Sequence, residues 1–477
     1  MTNKNFYLTT TLPYVNADPH IGFALEIVQA DIIARYQRLM GREVFFNTGT
    51  DEHGQKIFQA AQKEGKSVEE YVDHYASRFQ ELKTSLNLSY DAFIRTTDPG
   101  HVAAAQELWK RCLAKGDIYK KKYKGLYCVG DEMFLRDSDL VDGKCPNHPN
   151  MTPVEIEEEN YFFRLSAYQD QLLAYLERED VIRPGWRREE AVKFVQQGLE
   201  DFSISREKAR LTWGVPVPDD EDQVMYVWFD ALTNYISTLG WPSDGEGKFK
   251  KFWQEGEVVQ VAGKDQVRFQ SIMWQAMLMS ADIKTTDQVV YHGFITSGGQ
   301  KMSKSLGNVI EPLALVDEYG VDAVRYFLAR HVHPFDDSDF TLERFKEVYN
   351  ADLANGLGNL AARIMQLAQT HLTEPVKLEW RTLPKEFTDA LDVYDCNKAA
   401  EHVWSRISVL DQKITEEAPF KVVKEDIERG KTIIAELVAE LAYIDQMLEP
   451  LMPETSKKII EAIMANKKPE NLFPRKD

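Results

Sequence analysis

The 477-residue sequence predicts an α/β protein, in which a parallel, doubly wound sheet is split by a small insertion and followed by an all-α region. Three observations lead to this prediction. Strand-like and helix-like segments alternate through residues 1–115, and short strands with turn residues occupy residues 116–175. From about residue 336 to 477, apolar residues recur at helical spacing alone.

Residues 1–115 form the first half of the predicted sheet. Strands are expected at Phe6–Leu12 and Glu43–Thr48, with helices beginning at Gly22, covering Ser67–Ser85 and covering Gly100–Lys115. Helices between successive strands are the connections that parallel strands require, so these strands should pair in parallel.

Residues 116–175 change character, which indicates an insertion. Short strands are expected at Gly125–Val129 and Tyr161–Leu165. Strand character returns at Val258–Ala262 and Val289–Phe294, so residues 176–335 are predicted to complete the sheet. The later helices are expected within Ala351–Thr370, Pro384–Glu417 and Ile427–Leu451.

Composition excludes several classes of protein. Four cysteines are too few for a secreted disulfide framework, and the N-terminus has no apolar signal region, so we expect a cytoplasmic protein without membrane contact. A net charge of −19 argues against a general nucleic-acid coat protein. The basic run Lys120–Lys124 is interpreted as a solvated basic turn, although it could also contact nucleic-acid phosphates.

The pentapeptide Lys301–Ser305 is the most informative motif. Glycines flank it at positions 298, 299 and 307, which predicts a loop that presents two ammonium groups. Such charges suit a polyphosphate whose negative charge grows during a reaction. The alternative is a solvated surface loop.

A second motif predicts a phosphate site near the N-terminus. His20 and Gly22 lie where a predicted strand and turn lead into a helix, whose unpaired N–H groups and dipole attract anions. Gly22 would let a planar ring approach the backbone. Taken alone, this motif is better explained by a capped helix with a buried histidine, but together with the lysine motif the functional interpretation is favoured.

Together, His20–Phe23 and Lys301–Ser305 resemble the paired motifs of class I aminoacyl-tRNA synthetases. The segments Leu12–Asn16, Gly49–Gly54, Tyr226–Ala231 and Gly263–Asp265 are similar to the methionyl branch, and the resemblance runs from residue 5 to beyond residue 430. It implies a Rossmann-like catalytic domain with a connective insertion and a helix-bundle anticodon-binding domain. It further implies that L-methionine is activated with ATP and Mg²⁺ to methionyl-adenylate and then transferred to initiator and elongator tRNA(Met).

The resemblance also implies roles for individual residues. ATP would be bound by His20, Gly22, Phe23, Asp265, Lys301, Ser303 and Lys304, among which His20, Lys301 and Lys304 are the expected catalytic residues. Methionine would be bound by Leu12, Tyr14, Asp51, Trp228, Ala231, Tyr235, Gln266 and Gln270, with Arg206 assisting at the carboxylate and phosphate end. Asn359, Arg363 and Phe420 would bind the anticodon.

Simpler explanations exist for two of these sets. Trp228, Ala231 and Tyr235 have the spacing of one helix face, where plain core packing would produce the same stripe. Asn359 and Arg363 are four residues apart, which an ordinary polar helix face also explains.

The sequence departs from the family pattern at three places. Phe23 stands where a second histidine is usual, which predicts a slower enzyme or a compensating donor. Gln266 and Gln270 replace an apolar residue and a histidine that many members carry, and two amides there could re-pair polar contacts. Phe420 replaces a tryptophan that stacks on an anticodon base, and phenylalanine offers a smaller face.

The insertion contains a candidate zinc knuckle. Cys128 and Asp131 are spaced like Cys145 and His148, and zinc accepts all three ligand types in structural sites. The alternative is a short β-insertion with two thiols.

Other functions were weighed against this one. Isoleucyl, valyl or leucyl siblings need a large editing insertion, for which the segment between Asp51 and Trp228 is too short. A cysteinyl sibling needs zinc near the active site, yet the first cysteine is Cys112. A small nucleotidyltransferase needs no long helical region, whereas a tRNA-binding pseudo-synthetase stays open because of Phe23. The chain ends without room for the dimerising domain that some members append, so we expect a monomer.

Overall fold

The computed structural model describes residues 4–129, 133–135, 139–146, 150–302 and 308–476. The chain divides into two compact units. Unit 1 comprises Met1–Asp18, Gly41–Glu81 and Tyr90–Tyr291, and unit 2 comprises Pro19–Met40, Leu82–Ser89 and His292–Asp477. The domain boundaries suggested by the sequence remain predictions.

A six-stranded sheet forms the centre of unit 1. Its strands are, in spatial order, β3 (Ala92–Arg95), β2 (Glu43–Thr50), β1 (Asn5–Thr9), β11 (Glu257–Gly263), β12 (Gln288–His292) and β7 (Ile182–Arg183). The pairs β3–β2, β2–β1, β1–β11 and β12–β7 are parallel, which confirms the predicted α/β class. The strand order reverses between β1 and β11, and ligands bind at the carboxyl ends of strands beside such a reversal.

The helices of this part of the chain pack apolar faces around the sheet. Trp109, Trp253 and Trp274 are fully buried members of one continuous core, which also contains Tyr7 of β1. These helices are α2 (Gln55–Glu64), α3 (Val68–Ser85), α4 (Pro99–Ala114), α5 (Gln169–Leu176), α6 (Gly185–Gln196), α7 (Val227–Leu232), α8 (Asn234–Ser237) and α9 (Trp274–Ser280).

The predicted insertion contributes three strands to a second, antiparallel sheet, whose fourth strand lies beyond the predicted end of the insertion at residue 175. This sheet consists of β5 (Met133–Leu135), β4 (Ile118–Cys128), β6 (Val154–Phe163) and β8 (Phe202–Ser203), while β9 (Ser205–Glu207) pairs with β10 (Gln223–Met225). Lys120–Lys124 therefore lie in a strand, and the prediction of a basic turn was wrong. The reason is charge pairing with the acidic strand β6, because Lys124 Nζ lies 2.8 Å from Glu155 Oε1 and Lys122 is in register with Glu159.

Unit 2 is mainly helical, and within the described ranges no helix is long and apolar enough to cross a membrane. Helix α11 packs against α1, α15 and α18. The helices are α1 (Ile21–Leu39), α10 (Pro312–Tyr319), α11 (Val321–Arg330), α12 (Leu342–Val348), α13 (Asn359–His371), α14 (Lys385–Asp392), α15 (Cys396–Glu417), α16 (Pro419–Glu425), α17 (Ile427–Leu448) and α18 (Pro453–Met464).

Several predicted elements differ in detail. The region after residue 336 is not purely helical, because β15 (Ser338–Phe340) pairs in parallel with β13 (Ile295–Ser297). The stretch Pro384–Glu417 forms α14 and α15 rather than one helix, since Tyr394 has a φ of +64° and Asp395 caps α15 by accepting a 2.9 Å hydrogen bond from Lys398 N–H. A π-helical segment, Tyr349–Gly358, precedes α13.

Strand β1 ends at Thr9, three residues before the predicted end at Leu12. Pro13 lacks an N–H group and so cannot donate a hydrogen bond to the sheet. Contact with the neighbouring chain segment resumes at an isolated parallel bridge between Tyr14 and Asp51.

Candidate functional site

The N-terminus of α1 in unit 2 contains the first predicted phosphate-binding residues. His20 is the N-cap residue, and its Nδ1 accepts a 3.1 Å hydrogen bond from Gly22 N–H. A neutral imidazole that accepts at Nδ1 carries its proton at Nε2. His20 is exposed, so this tautomer offers an N–H donor to an anion at the helix N-terminus.

The side chain of His20 leaves no room for a Cβ atom at Gly22. A Cβ atom added there would lie 2.9 Å from His20 Cε1, closer than real Cβ contacts, so a larger residue would displace the imidazole. The next residue, Phe23, is half-buried and offers no hydrogen-bond donor from its side chain.

The lysine motif meets this same helix end within unit 2. A Cβ atom on Gly22 would lie 3.8 Å from Met302 Cε, and Ile21 N–H donates a 3.0 Å hydrogen bond to Ile310 O. The backbone of Lys301 belongs to β14 (Gln300–Lys301), which pairs with β13. Ser303 and Lys304 lie outside the described residues. Met302 of the motif and Ile310 beyond it therefore lie beside the N-terminal turn of α1.

The predicted methionine-binding residues all belong to unit 1. The bridge between Tyr14 and Asp51 holds the segments after β1 and β2 together, and Asp51 N–H donates a 3.0 Å hydrogen bond to Pro13 O. The side chain of Leu12 is half-exposed, whereas Asp51 is only 2% exposed. A buried carboxylate needs charged or hydrogen-bonding partners, which makes Asp51 suitable for a ligand ammonium group.

An aromatic wall adjoins this carboxylate segment. The rings of Tyr14 and Trp228 meet edge to face, with centroids 6.3 Å apart, and Phe269 stacks on Trp228 at 3.9 Å. The indole Nε1 of Trp228 is buried and has no hydrogen-bond partner among the described residues. Phe269 was missed by the sequence analysis, although it lies between the predicted residues Gln266 and Gln270.

Ala231 and Tyr235 are buried beside this wall but do not share one helix with Trp228. Helix α7 ends at Leu232, and Tyr235 belongs to the separate helix α8. The prediction of one continuous helix was wrong because the turn tightens at Thr233. Its N–H donates to Asp230 O at 3.0 Å, three residues back, and its Oγ1 donates to Phe229 O at 3.1 Å.

The two glutamines lie in the segment that follows β11. Gln270 is buried, and its Nε2 donates to the Tyr235 hydroxyl, so these two predicted residues are in direct contact. The Oε1 atoms of Gln266 and Gln270 are buried without a hydrogen-bond partner in the described part of the chain. Asp265 is exposed, within the 3₁₀ turn Lys264–Gln266.

Arg206 on β9 is held by neighbouring protein groups. Its Nη1 donates hydrogen bonds to Ser203 Oγ at 2.9 Å and to Ser205 O at 2.7 Å. The guanidinium also lies 4.9 Å from the ring centroid of Tyr127 and 4.7 Å from that of Tyr226. The predicted role of Arg206 at the carboxylate and phosphate end stays a prediction.

The predicted anticodon residues lie on the helices of unit 2. Asn359 is exposed at the start of α13, and Arg363 Nη1 lies 2.7 Å from Asp411 Oδ1. Phe420 on α16 is 46% exposed, with Lys421 Nζ 5.9 Å from its ring centroid. An exposed ring beside a cation is a stacking surface for an unpaired base.

Two of the four predicted zinc ligands are described. Cys128 and Cys145 are buried in a small cluster with Leu135 and Leu140. Asp131 and His148 lie outside the described residues, and the described ranges contain no group of three or more metal-ligating side chains. Zinc binding stays a prediction.

Comparisons with known proteins agree with these motifs. A family model described as "tRNA synthetases class I (M)" matches residues 6–154 and 148–365. A methionine–tRNA ligase of Caldanaerobacter subterraneus is 42% identical, over 96% of this chain and 74% of that protein. One from Rhizobium meliloti is 41% identical, over 96% of this chain and 91% of that protein. The structure of Mycobacterium tuberculosis methionyl-tRNA synthetase with methionyl-adenylate superimposes with a TM-score of 0.89 and 37% identity, covering 99% of both chains.

Proposed function

This chain belongs to the class I (M) tRNA synthetases. We propose that the residues of its candidate site perform the reaction of that family. The enzyme joins methionine to tRNA in two steps. Methionine and ATP first form methionyl-adenylate and pyrophosphate, and the methionyl group then passes to the 3′ end of the tRNA. Because no covalent bond to the protein is needed, catalysis consists of positioning and charge stabilisation.

The ATP phosphates bind at the N-terminus of α1. The observation that carries this proposal is the attachment of the lysine motif to the helix turn that begins at His20. His20 Nε2–H donates to a phosphate oxygen, and Gly22 keeps the backbone open to the nucleotide. Lys301 and Lys304 supply positive charge to the departing pyrophosphate, Ser303 contributes a hydroxyl, and Asp265 binds the ribose. Mg²⁺, when bound with ATP, adds further positive charge beside the phosphates.

Methionine binds in unit 1. Asp51 accepts the α-ammonium group, and the aromatic wall of Tyr14 and Trp228 contacts the thioether. Leu12, Ala231 and Tyr235 complete the apolar surface. The amide oxygens of Gln266 and Gln270 have no hydrogen-bond partner among the described residues, which favours a hydrogen bond to a ligand or water in this region. Arg206 assists at the carboxylate and phosphate end of the site, and its guanidinium lies over the ring of Tyr226, two positions before Trp228.

The tRNA anticodon binds on unit 2. Asn359 and Arg363 hydrogen-bond base edges, and Phe420 stacks on an unpaired base. To bind a base edge, Arg363 either breaks its ion pair with Asp411 or donates from N–H groups that do not take part in that ion pair. The tRNA is tRNA(Met), both initiator and elongator.

The remaining features are proposed on the sequence and the family. Residues 1–115 and 176–335 make up the catalytic domain, 116–175 the connective insertion and 336–477 the anticodon-binding domain. The protein works as a monomer in the cytoplasm. A structural zinc ion, if bound, would be held by Cys128 and Cys145 with Asp131 and His148 and would take no part in the chemistry.

The decisive experiment is ATP–pyrophosphate exchange measured with each of the twenty amino acids and with homocysteine. We expect rapid exchange with methionine and weak exchange with homocysteine. Exchange with a different amino acid would keep the activation chemistry but contradict the substrate. If no amino acid supports exchange while tRNA(Met) still binds, the protein is a pseudo-synthetase.

A further inference from the structure

A buried carboxylate in unit 1 joins two histidines that the proposed mechanism does not use. Asp230 is 0% exposed, and its Oδ2 lies 2.6 Å from His53 Nδ1. Its other oxygen, Oδ1, lies 2.7 Å from His101 Nε2. One carboxylate therefore holds two imidazoles, which come from segments far apart in the chain.

The protonation of this cluster follows from its chemistry. An ionised carboxylate only accepts hydrogen bonds, so both facing imidazole nitrogens carry protons. Burial alone would raise the pKa of Asp230, but His53 and His101 outweigh burial and lower the pKa to about 2. Asp230 is thus ionised at neutral pH, and both hydrogen bonds are of the strong, charge-assisted kind.

The cluster connects the two walls of the proposed methionine pocket. His53 is two residues after Asp51, and the backbone N–H of His53 donates a 3.4 Å hydrogen bond to Asp51 Oδ1. Asp230 itself lies on α7 between Trp228 and Ala231. The backbone that presents the ammonium-binding carboxylate is thereby tied to the helix that presents the side-chain wall.

His101 extends the connection to the third segment of the pocket. It lies on α4, and its Nδ1 is 2.9 Å from Ser237 Oγ on α8, the helix that carries Tyr235. Both histidines are buried, so water cannot replace these hydrogen bonds without opening the core. Loss of the carboxylate would free three pocket segments at once.

We propose that Asp230 is a positioning residue for methionine, which fixes the separation between Asp51 and the wall formed by Trp228 and Ala231. It touches no reacting atom and acts through His53 and His101. This inference rests on the proposed function and adds to it a residue that sets methionine affinity. A methionine molecule spans the two walls, since its ammonium and thioether groups lie at opposite ends. The affinity for methionine therefore depends on the separation of the two walls.

The test is Asp230→Asn, assayed by ATP–pyrophosphate exchange with methionine and ATP varied separately. The amide keeps the shape of the carboxylate but carries no charge, and its NH₂ group can pair with the facing imidazole only after that histidine changes tautomer, so the charge-assisted pairing is weakened. We expect the KM for methionine to rise about tenfold or more, while the KM for ATP changes less than about twofold. The matched control is Asp117→Asn, since Asp117 is also buried in unit 1 and accepts hydrogen bonds from the hydroxyls of Tyr168 and Ser280.

A second pair of variants keeps the proposal testable if Asp230→Asn does not fold. His53→Leu removes the donor to Asp230, whereas His53→Asn retains an N–H at the position of Nδ1 and should reverse most of the rise in methionine KM. Equal effects of Asp230→Asn and Asp117→Asn on methionine KM would overturn the proposal, as would equal effects of the two His53 variants. Failure of the proposed function is a separate result, because the unchanged protein would then show no methionine-dependent exchange.

Discussion

Replacing Arg325 by methionine should destabilise unit 2 by about 3 kcal/mol, the lower end of the range for breaking a buried ion pair. Arg325 on α11 is 0% exposed, and its Nη1 lies 2.8 Å from Asp31 Oδ2 on α1. Its guanidinium also donates to the carbonyl groups of Leu86, Leu451 and Pro450 at 3.1, 3.1 and 3.0 Å. One side chain thus joins four segments of the unit.

The magnitude follows from what the substitution leaves behind. Methionine fills much of the same volume but donates nothing, so the three carbonyl groups lose the guanidinium donor and Asp31 Oδ2 loses one of its two arginine partners. Asp31 keeps Arg35, whose Nε is 2.8 Å away, and two 2.6 Å hydrogen bonds from Ser89. These remaining partners explain why we expect the lower end of the range.

Adding Asp31→Asn to Arg325→Met should recover part of the loss, because it removes the buried charge that has lost one of its two arginine partners. A coupling free energy of about 1–2 kcal/mol is expected between the two sites. Since α1 begins at Ile21 beside His20, the single variant should also raise the KM for ATP. Asp31→Asn alone serves as the reference variant of the cycle.

The assay is native-state hydrogen exchange, followed by mass spectrometry on peptides from α1 and α11. This measurement resolves each unit, whereas one unfolding curve of a two-unit protein does not yield a single free energy. A loss below about 1 kcal/mol, or a double variant no more stable than Arg325→Met, would refute the reasoning.

Two further predictions concern the departures from the family pattern. Phe23→His adds a hydrogen-bond donor at the N-terminal turn of α1 and should lower the KM for ATP several-fold. An unchanged KM for ATP in exchange assays would mean that another group already supplies this hydrogen bond. Phe420→Ala should reduce kcat/KM for tRNA charging by about 5- to 150-fold, since stacking on a base contributes about 1–3 kcal/mol. ATP–pyrophosphate exchange should not change in the Phe420 variant, and a parallel fall in exchange would show that the substitution acts through folding instead.

The sequence predicted the strands and helices that are determined by residues adjacent in the chain. The run Val258–Ala262 lies within β11, because a strand buried on both faces favours β-branched apolar residues such as Val258, Val259 and Val261. The start of α1 was predicted from His20 and Gly22, since a cap and its helix are neighbours in the chain. The fold class followed from the same alternation of strands and helices.

Predictions failed where a distant partner decides the outcome. Lys120–Lys124 resembles a solvated turn by composition, yet β6 supplies the opposite charges that make it a strand. Residues Ser338–Phe340 become β15 only because β13 lies beside them. Pairing with a distant strand outweighs local propensity, and the residues next to each segment in the chain do not indicate that pairing.

The sequence by itself predicted the chemistry of the protein, because its short contiguous motifs resemble those of a known family. The same resemblance predicted that the side chains of Asp51, Trp228 and Gln270 bind methionine. Only the tertiary structure decided how they are supported. His53 and Asp230 are 177 positions apart in the chain, and no spacing rule links them. Packing of the core brings their segments together, and burial then makes one carboxylate hold both histidines.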